Sequence, residues 1–215
     1  MTIKPTVFLV DDDQAIRDAL SLFLESQDIS VEAFSSATAF LNDYEPESHG
    51  CLVLDIRMPG MDGLELQEHL TKKDIRIPIV FITGHGDVPM AVRAIKNGAC
   101  DFLEKPFNNK DLLKCIQNAI MHDKQQRCQS NLHNEIQARY ATLTAREKEV
   151  MALVADGHSN KIIAKKLYIS HRTVEIHRRR VMKKMQANSV PELISMAITC
   201  GLHEYKNQLA ANGSA

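Results

Sequence analysis

The sequence of 215 residues lacks any apolar run long enough to cross a membrane. Apolar stretches such as residues 79–82 are far shorter than the ~20 residues that a membrane-spanning helix needs. Three aspartates at positions 11–13 come before a signal-peptide pattern can form, so we expect a cytoplasmic protein with no membrane partner. The five cysteines form no C-x-x-C pair and their number is odd, which favours reduced and mostly buried thiols over disulfides or zinc ligands.

The net charge is also close to zero, since its formal value at pH 7 is −1. This value is a cancellation between two unlike halves. Residues 1–122 carry 19 acidic and 11 basic side chains, whereas residues 123–215 carry 8 acidic and 15 basic ones. Such an asymmetry predicts two modules with different partners, and nucleic acid is a candidate partner for the basic module.

The first half alternates short apolar runs with amphipathic stretches. The runs at 6–10, 30–34, 51–55, 78–82 and 100–104 are typical of strands. Helical spacing is found at 14–26, 37–42, 63–72 and 88–96, and a fifth helix begins near Asn109. Strands that alternate with helices of this length predict an α/β fold, a doubly wound five-stranded parallel sheet.

The second half has an all-helical pattern. Residues 123–141 are mostly polar, and 123–137 contain neither Gly nor Pro, which predicts a helical linker. Thr144 and Glu147 fit a capping box that opens the first of four helices, at 144–157, 159–167, 170–185 and 190–200. The predicted units are therefore 1–122, a linker at 123–141, an all-α domain at 142–205 and a flexible tail at 206–215.

Charged and hydroxyl side chains follow the predicted strands of the first half. Residues 11–13 follow the first strand, Asp55 ends the third, Thr83 follows the fourth and Lys105 the fifth. The carboxyl ends of parallel strands meet at one edge, where converging carboxylates favour binding of Mg²⁺. Such a set suits phosphoryl transfer onto a carboxylate. Taken singly, each residue could instead be a solvated turn residue, and Asp13 is better explained as a helix N-cap.

The strings FLVDDD, LVLDIRMPGMDGLEL, FITGHGD and DFLEKPF closely resemble the receiver domain of two-component response regulators, over about residues 5–122. The resemblance implies a flavodoxin-like fold in which Asp55 accepts the phosphoryl group. It also implies a set of Mg²⁺ ligands, namely Asp12, Asp55, the main-chain oxygen of Arg57, and Asp11 through water. Thr83, Lys105 and Phe102 resemble the residues that switch the conformation when the phosphoryl group is present, and Lys105–Pro106 matches a peptide that is usually cis.

The region of residues 159–185 contains nine basic side chains against one acidic one, Glu175. A solvated helix face would mix the two signs, so this excess favours a helix-turn-helix with its recognition helix at 170–184. A membrane-surface helix is a weaker alternative, because the apolar positions are typical of a compact bundle core.

The string LTAREKEVMALVADGHSNKIIAKKLYISHRTVEIHRRRVMKKM strongly resembles the LuxR-type DNA-binding domain, over about residues 142–202. The resemblance implies that Glu175, Ile176 and Arg179 contact base edges. It implies contacts to the DNA backbone from Thr173, Arg178 and Lys183. The apolar positions of the fourth helix, Leu193, Ile194, Ala197 and Ile198, resemble a dimer contact made on DNA.

Together these resemblances identify a response regulator of the FixJ/NarL class, on the FixJ side. They imply a transcription regulator rather than an enzyme, with Mg²⁺ as cofactor. The implied partners are a cognate histidine kinase, double-stranded promoter DNA, RNA polymerase and a second copy, the homodimer forming on phosphorylation or on DNA. Two alternatives remain open: a DNA-binding protein that ignores phosphorylation and uses its receiver as an interaction module, and a phosphotransfer relay.

Overall fold

The computed structural model describes residues 4–45, 48–84 and 88–202 of the chain. The tail predicted at 206–215 lies outside these residues. The chain divides into two compact units, Met1–Arg127 and Cys128–Ala215. Within the described ranges, no helix is long and apolar enough to span a membrane.

The first unit is a five-stranded parallel sheet in the order β2-β1-β3-β4-β5, which confirms the predicted fold class. Its strands are β1 Thr6–Val10, β2 Ser30–Phe34, β3 Gly50–Asp55, β4 Ile79–Thr83 and β5 Asp101–Glu104. Its helices are α1 Gln14–Glu25, α2 Ala37–Asp43, α3 Gly63–Lys72, α4 Val88–Lys96 and α5 Asn109–Ala141.

Two apolar layers cover the two faces of the sheet. Alternate residues of β1 point to opposite faces, so that Phe8 packs with α2 and α3 residues, while Val7 and Leu9 pack with α1 and α5 residues. Strands β3 and β4 are buried along their whole length, as expected for central strands of a parallel sheet. The polar ends of these strands therefore emerge from an apolar sheet at one edge.

Helix α5 continues through the segment predicted as a linker, as one helix of 33 residues. Near the middle of this helix, Asp123 is buried, and its carboxylate accepts hydrogen bonds from Gly50 N at 3.2 Å and Arg127 Nε at 2.7 Å. A side chain at Gly50 would clash with the carbonyl of Thr6, since a Cβ there would lie 1.8 Å from Thr6 O. Asp123 thus attaches α5 to the amino end of β3, a contact that sequence analysis did not predict.

The second unit is a bundle of α6 Ala145–Ala155, α7 Asn160–Leu167, α8 His171–Met185 and α9 Val190–Thr199, packed around one apolar core. The predicted dimer face of α9 is wrong in part. Leu193 and Ala197 are buried in that core, whereas Ile198 is 52% exposed and Ile194 is half-buried. A bundle of four short helices needs most of its apolar side chains for its own core, which leaves few for a partner.

The cysteines are all free, as predicted, but their burial differs from the prediction. Cys51 and Cys115 are buried, while Cys100 and Cys128 are exposed and Cys200 is intermediate. Cys128 lies on the polar stretch of α5, where helical periodicity turns it away from any core, and Cys100 directly precedes the edge strand β5.

The predicted capping box at α6 is present and includes a buried ion pair. Glu147 is 2% exposed, and its Oε2 accepts hydrogen bonds from Thr144 N at 2.9 Å and from Lys184 Nζ at 2.6 Å. Burial opposes ionisation of Glu147, but the hydrogen bonds from Lys184 and Thr144 outweigh it, so the pKa of this carboxyl lies below its usual value. Because its pKa is lowered on folding, the ionised Glu147 stabilises the unit above about pH 4, and this contribution is lost as the pH falls.

We expect Glu147→Gln to destabilise the second unit by about 1–2 kcal/mol at neutral pH, because a charge-assisted hydrogen bond to Lys184 is lost. Glu65→Gln is the matched control, since Glu65 completes the same kind of box at α3 but is exposed. Hydrogen exchange in the full chain measures the effects, in α6 and α8 peptides for Glu147→Gln and in α3 peptides for Glu65→Gln. If both substitutions increase hydrogen exchange equally, each in its own helix, then burial and the bond to Lys184 add nothing to the capping box.

Candidate functional site

Two buried carboxylates and one ammonium group meet at the carboxyl edge of the sheet. Asp11 is 1% exposed and Asp55 is 5% exposed. Lys105 Nζ lies 2.6 Å from Asp11 Oδ2 and 3.0 Å from Asp55 Oδ1, so it donates a hydrogen bond to both. The predicted convergence of residues from β1, β3 and the segment after β5 is therefore present.

Main-chain groups orient the two carboxylates. Arg57 N donates to Asp55 Oδ2 at 3.0 Å, and Asp13 N donates to Asp11 Oδ1 at 2.9 Å. Behind Asp55 the chain returns so closely that a Cβ at Gly63 would lie 2.4 Å from Asp55 O. Only glycine fits there, and sequence analysis missed this requirement because Gly63 reads simply as the first residue of α3.

Burial raises the pKa of Asp55, and the nearby charge of Asp11 adds to this effect, while Lys105 opposes it. Burial alone would lower the pKa of Lys105, but its hydrogen bonds to Asp11 and Asp55 leave that pKa above its usual value. The lysine therefore stays charged at neutral pH. The site holds a carboxylate that is costly to ionise beside a cation that compensates for the cost.

An open cleft gives solvent access to this cluster. Asp12 lines it and is exposed. Asp13 Oδ1 accepts a hydrogen bond from Ala15 N at 2.8 Å, so Asp13 serves as the N-cap of α1, the alternative that the sequence favoured. The other residues around the cleft are Asp11, Ile16, Asp55, Arg57, Gly84 and Lys105.

The donor set of the cleft fits a hard divalent cation such as Mg²⁺. Its ligand candidates are carboxylate and main-chain oxygens, which hard cations prefer. Within the described ranges, no three His, Cys, Asp or Glu side chains are gathered closely enough to hold a metal ion alone. Mg²⁺ keeps several waters and usually takes only one or two carboxylates from the protein, and Asp12 and Asp55 both line the cleft.

The three residues predicted to switch the conformation lie on β4, β5 and the turn that follows. Thr83 is buried at the end of β4, and its carbonyl accepts a hydrogen bond from Lys105 N at 2.6 Å. The Lys105–Pro106 peptide is cis, as the resemblance implies. Phe102 is half-buried on β5, paired in register with Phe81 of β4, and it is not among the residues that line the cleft.

In the second unit, α8 has one buried face and one exposed face. Val174, Val181 and Met185 belong to the core. The predicted DNA contacts Glu175, Ile176, Arg179 and Lys183 are all exposed, whereas Thr173 and Arg178 are half-buried. The exposed acid Glu175 has His171 as a neighbour, with 3.4 Å between Oε1 and Nδ1.

Part of the positive charge of this region is engaged within the bundle. Arg178 Nη1 donates to Asn160 Oδ1 at 2.9 Å and thereby joins α8 to α7. Lys184 Nζ bonds Glu147 and also Thr142 O at 3.1 Å. The count of nine basic side chains against one acidic one therefore overstates the free positive charge of the surface. Lys184 is paired with Glu147, and the sequence pattern does not show this pairing.

Two known families match the two units. The family described as "Response regulator receiver domain" matches residues 7–117. The family described as "Bacterial regulatory proteins, luxR family" matches residues 141–197.

Full-length relatives match across both units. The response regulator protein TmoT of Ectopseudomonas mendocina is 47% identical over 89% of this chain and 87% of its own length. The transcriptional regulatory protein FixJ of Bradyrhizobium diazoefficiens is 45% identical over 94% of this chain and 98% of its own.

Solved structures are similar as well. The response regulator StyR matches with a TM-score of 0.83 and 45% identity, over 90% of this chain and 98% of its own. Full-length FixJ from B. japonicum matches with a TM-score of 0.58 and 44% identity, over 94% of this chain and 99% of its own.

The geometry of the acidic site makes its stability depend on Lys105. We expect Lys105→Met to destabilise the first unit by about 1–3 kcal/mol near pH 7, because two buried carboxylates lose their shared cation. The difference from the wild type should be smaller at about pH 4, because burial raises the pKa of Asp55 and protonation removes the charge that Lys105 compensates. Scanning calorimetry of the full chain at both pH values measures this.

Lys96→Met is the matched control, since Lys96 is exposed on α4, and a change within about 0.5 kcal/mol is expected there. A loss of stability for Lys105→Met that is equal at both pH values would mean that the lysine acts by packing rather than by charge.

Proposed function

This chain belongs to the two-component response regulators that join a receiver domain to a LuxR-type DNA-binding domain, and we propose that phosphorylation of Asp55 controls it. Members of this class are transcription regulators. Their receiver domains imply a histidine kinase as partner, and their LuxR-type domains imply binding to DNA. The observation that carries the assignment of Asp55 is its position, buried at the end of β3 with Lys105 Nζ 3.0 Å from its Oδ1.

In the proposed reaction, an Asp55 carboxylate oxygen attacks the phosphorus of a phosphohistidine on the kinase. A bond forms between oxygen and phosphorus, the phosphorus–nitrogen bond breaks, and the imidazole leaves. The Lys105 ammonium already contacts this carboxylate and can follow the negative charge onto the phosphoryl oxygens. Arg57 N keeps the second carboxylate oxygen in place.

Asp12, Asp55 and the main-chain oxygen of Arg57 would hold Mg²⁺, with Asp11 acting through water. When bound, Mg²⁺ neutralises phosphoryl oxygens and so lowers the electrostatic barrier to attack by a carboxylate. The oxygen-only donor set and the exposed Asp12 support this part of the proposal.

The phosphoryl group would shift the population between two receiver conformations through Lys105, Thr83 and Phe102. The Lys105 ammonium group contacts Asp55, and the main-chain N–H of the same residue donates to Thr83 O, so Lys105 connects the proposed acceptor to the end of β4. Phe102 lies three residues before Lys105 and would reorient with Thr83. The surface of α4 and β5 would then favour a homodimer.

The dimer would bind double-stranded promoter DNA through α8 and regulate transcription with RNA polymerase as a further partner. Glu175, Ile176 and Arg179 would contact bases, while Thr173, Arg178 and Lys183 would contact the backbone. We propose a cytoplasmic regulator rather than an enzyme, with a receiver at 1–122, a linker at 123–141, a DNA-binding domain at 142–205 and a tail at 206–215.

The first test is phosphorylation with a small acyl phosphate and Mg²⁺. The wild-type chain is expected to gain one phosphoryl group by intact mass, whereas Asp55→Asn gains none. Asp62→Asn is the control, because Asp62 is the N-cap of α3 and asparagine caps equally well. If Asp55→Asn also gains the mass of one phosphoryl group, Asp55 is not the acceptor.

The same samples test the link to DNA. A duplex is selected from a randomised pool with the phosphodonor-treated wild type, and its affinity is then measured with and without donor. We expect donor to raise the affinity about 5- to 100-fold for the wild type and Asp62→Asn, and to have no effect on Asp55→Asn. If the affinity changes neither with the phosphodonor nor with the substitution Asp55→Asn, the alternative of a phosphorylation-independent DNA-binding protein is favoured.

Sequence preference should depend on Glu175. Its carboxylate can accept a hydrogen bond from cytosine N4 but cannot contact phosphate favourably. We expect Glu175→Ala to reduce discrimination at one base pair of the selected duplex by about 5- to 100-fold. As a comparison, Lys183→Ala should weaken binding to all duplexes alike and reduce the slope of log affinity against log salt by about 1. Loss of affinity without loss of discrimination in Glu175→Ala would contradict the base contact.

A further inference from the structure

Tyr168 lies in the turn between α7 and α8 and is 94% exposed. Its hydroxyl has no hydrogen-bond partner in the part of the chain that the structure describes. None of the roles assigned above involves this residue. A large aromatic side chain that points almost entirely into solvent offers contact area only to a molecule outside the chain.

The backbone at Tyr168 is also unfavourable for this residue type. Tyr168 is the C-cap of α7, with φ of 55° and ψ of 41°, in the left-handed region. Glycine is preferred at that position because a Cβ crowds the neighbouring carbonyl. Both its exposure and its backbone conformation therefore disfavour tyrosine in the free protein, and among residues 128–202 no hydrogen bond, ion pair or ring contact of the Tyr168 side chain offsets this.

The turn that carries Tyr168 is held firmly. Arg146 Nη2 donates to Leu167 O just before it. Ile169 packs against the core just after it, and the Ser170 hydroxyl caps α8 by accepting from Thr173 N at 3.0 Å. The phenol ring therefore projects from a fixed backbone, which reduces the entropy lost when it meets a partner.

The chain on either side of the turn is basic. Lys165, in the last turn of α7, and Arg172, in the first turn of α8, are both exposed. A neutral hydroxyl group that lies between two cationic side chains is suited to donate a hydrogen bond to an anionic oxygen of a ligand. In helix-turn-helix proteins the first helix crosses the DNA backbone and the second enters the major groove, so the turn lies near the phosphates that border the groove.

We propose that the hydroxyl of Tyr168 donates a hydrogen bond to a backbone phosphate beside the groove that α8 enters. This inference rests on the proposed DNA-binding function. A contact of this kind fixes the position of the recognition helix on the duplex and carries no sequence information. It is also neutral, so it adds affinity without releasing a counterion.

The test uses the phosphodonor-treated full chain with two duplexes, the selected one and one of random sequence. Tyr168→Gly removes the side chain and relieves the left-handed backbone, so the variant should fold at least as stably as the wild type. Both Tyr168→Gly and Tyr168→Phe should bind both duplexes about three- to tenfold more weakly, the value of one net hydrogen bond. The salt slope should not change.

Gln186→Gly is the matched control. Gln186 is the C-cap of α8, with φ of 56°, and it is exposed. The same relief of backbone strain at this position should leave both affinities unchanged. Lys183→Ala provides the contrast, since loss of a charged backbone contact should lower the salt slope.

Three outcomes would overturn the assignment of Tyr168. Wild-type affinity in Tyr168→Phe would exclude the hydroxyl contact, and weakening on the selected duplex alone would indicate base recognition instead. Unchanged DNA binding together with lost transcription in Tyr168→Gly would assign the side chain to a protein partner. If the wild type binds neither duplex, the proposed DNA-binding function itself fails, and the role of Tyr168 fails with it.

Discussion

The chemistry of the first unit depends on one ammonium group shared by two buried carboxylates. Lys105 bridges Asp11 and Asp55, which come from different strands and are almost fully buried. Without that cation, ionising both of these buried carboxylates would be strongly unfavourable. The arrangement holds Asp55 at the cleft, and it places the lysine where a change of charge on Asp55 would alter its contacts. In the proposed mechanism, the reaction at Asp55 and the switching would thus depend on the same contact.

The positions of these three groups could be predicted because they follow from topology. Parallel strands put their carboxyl ends at one edge, and the apolar runs that define β1, β3 and β4 are easily recognised in the sequence. The capping box at Thr144 and Glu147 was equally clear, since its spacing is local. Where a feature depends on a repeating pattern or on neighbours a few residues apart, the sequence was sufficient.

Features that depend on long-range partners could not be predicted in this way. The burial of Asp123 requires Gly50, which is 73 residues away in the chain, and the pairing of Lys184 requires Glu147, which is 37 residues away. The exposure of Cys100 depends on its place beside an edge strand. The burial of Leu193 and Ala197 depends on how little apolar surface a small bundle can spare. For Asp123 and Cys100 the residue type alone suggests the opposite environment.

These pairings change how the charge asymmetry is understood. A phosphoryl group carries about 1.5–2 negative charges, but on Asp55 it would replace the single charge of the carboxylate, so it would add only about one charge or less. Residues 1–122 already carry a net charge of −8, so repulsion from DNA would change little. On the basic side, Lys184 is neutralised by Glu147, and Arg178 is held by Asn160. In the proposed mechanism, regulation would therefore depend on a change of conformation or of oligomeric state, because the charge added by phosphorylation is small. Neutral contacts from a fixed backbone gain importance for the same reason. They position the recognition helix without adding the nonspecific affinity that further cations would bring.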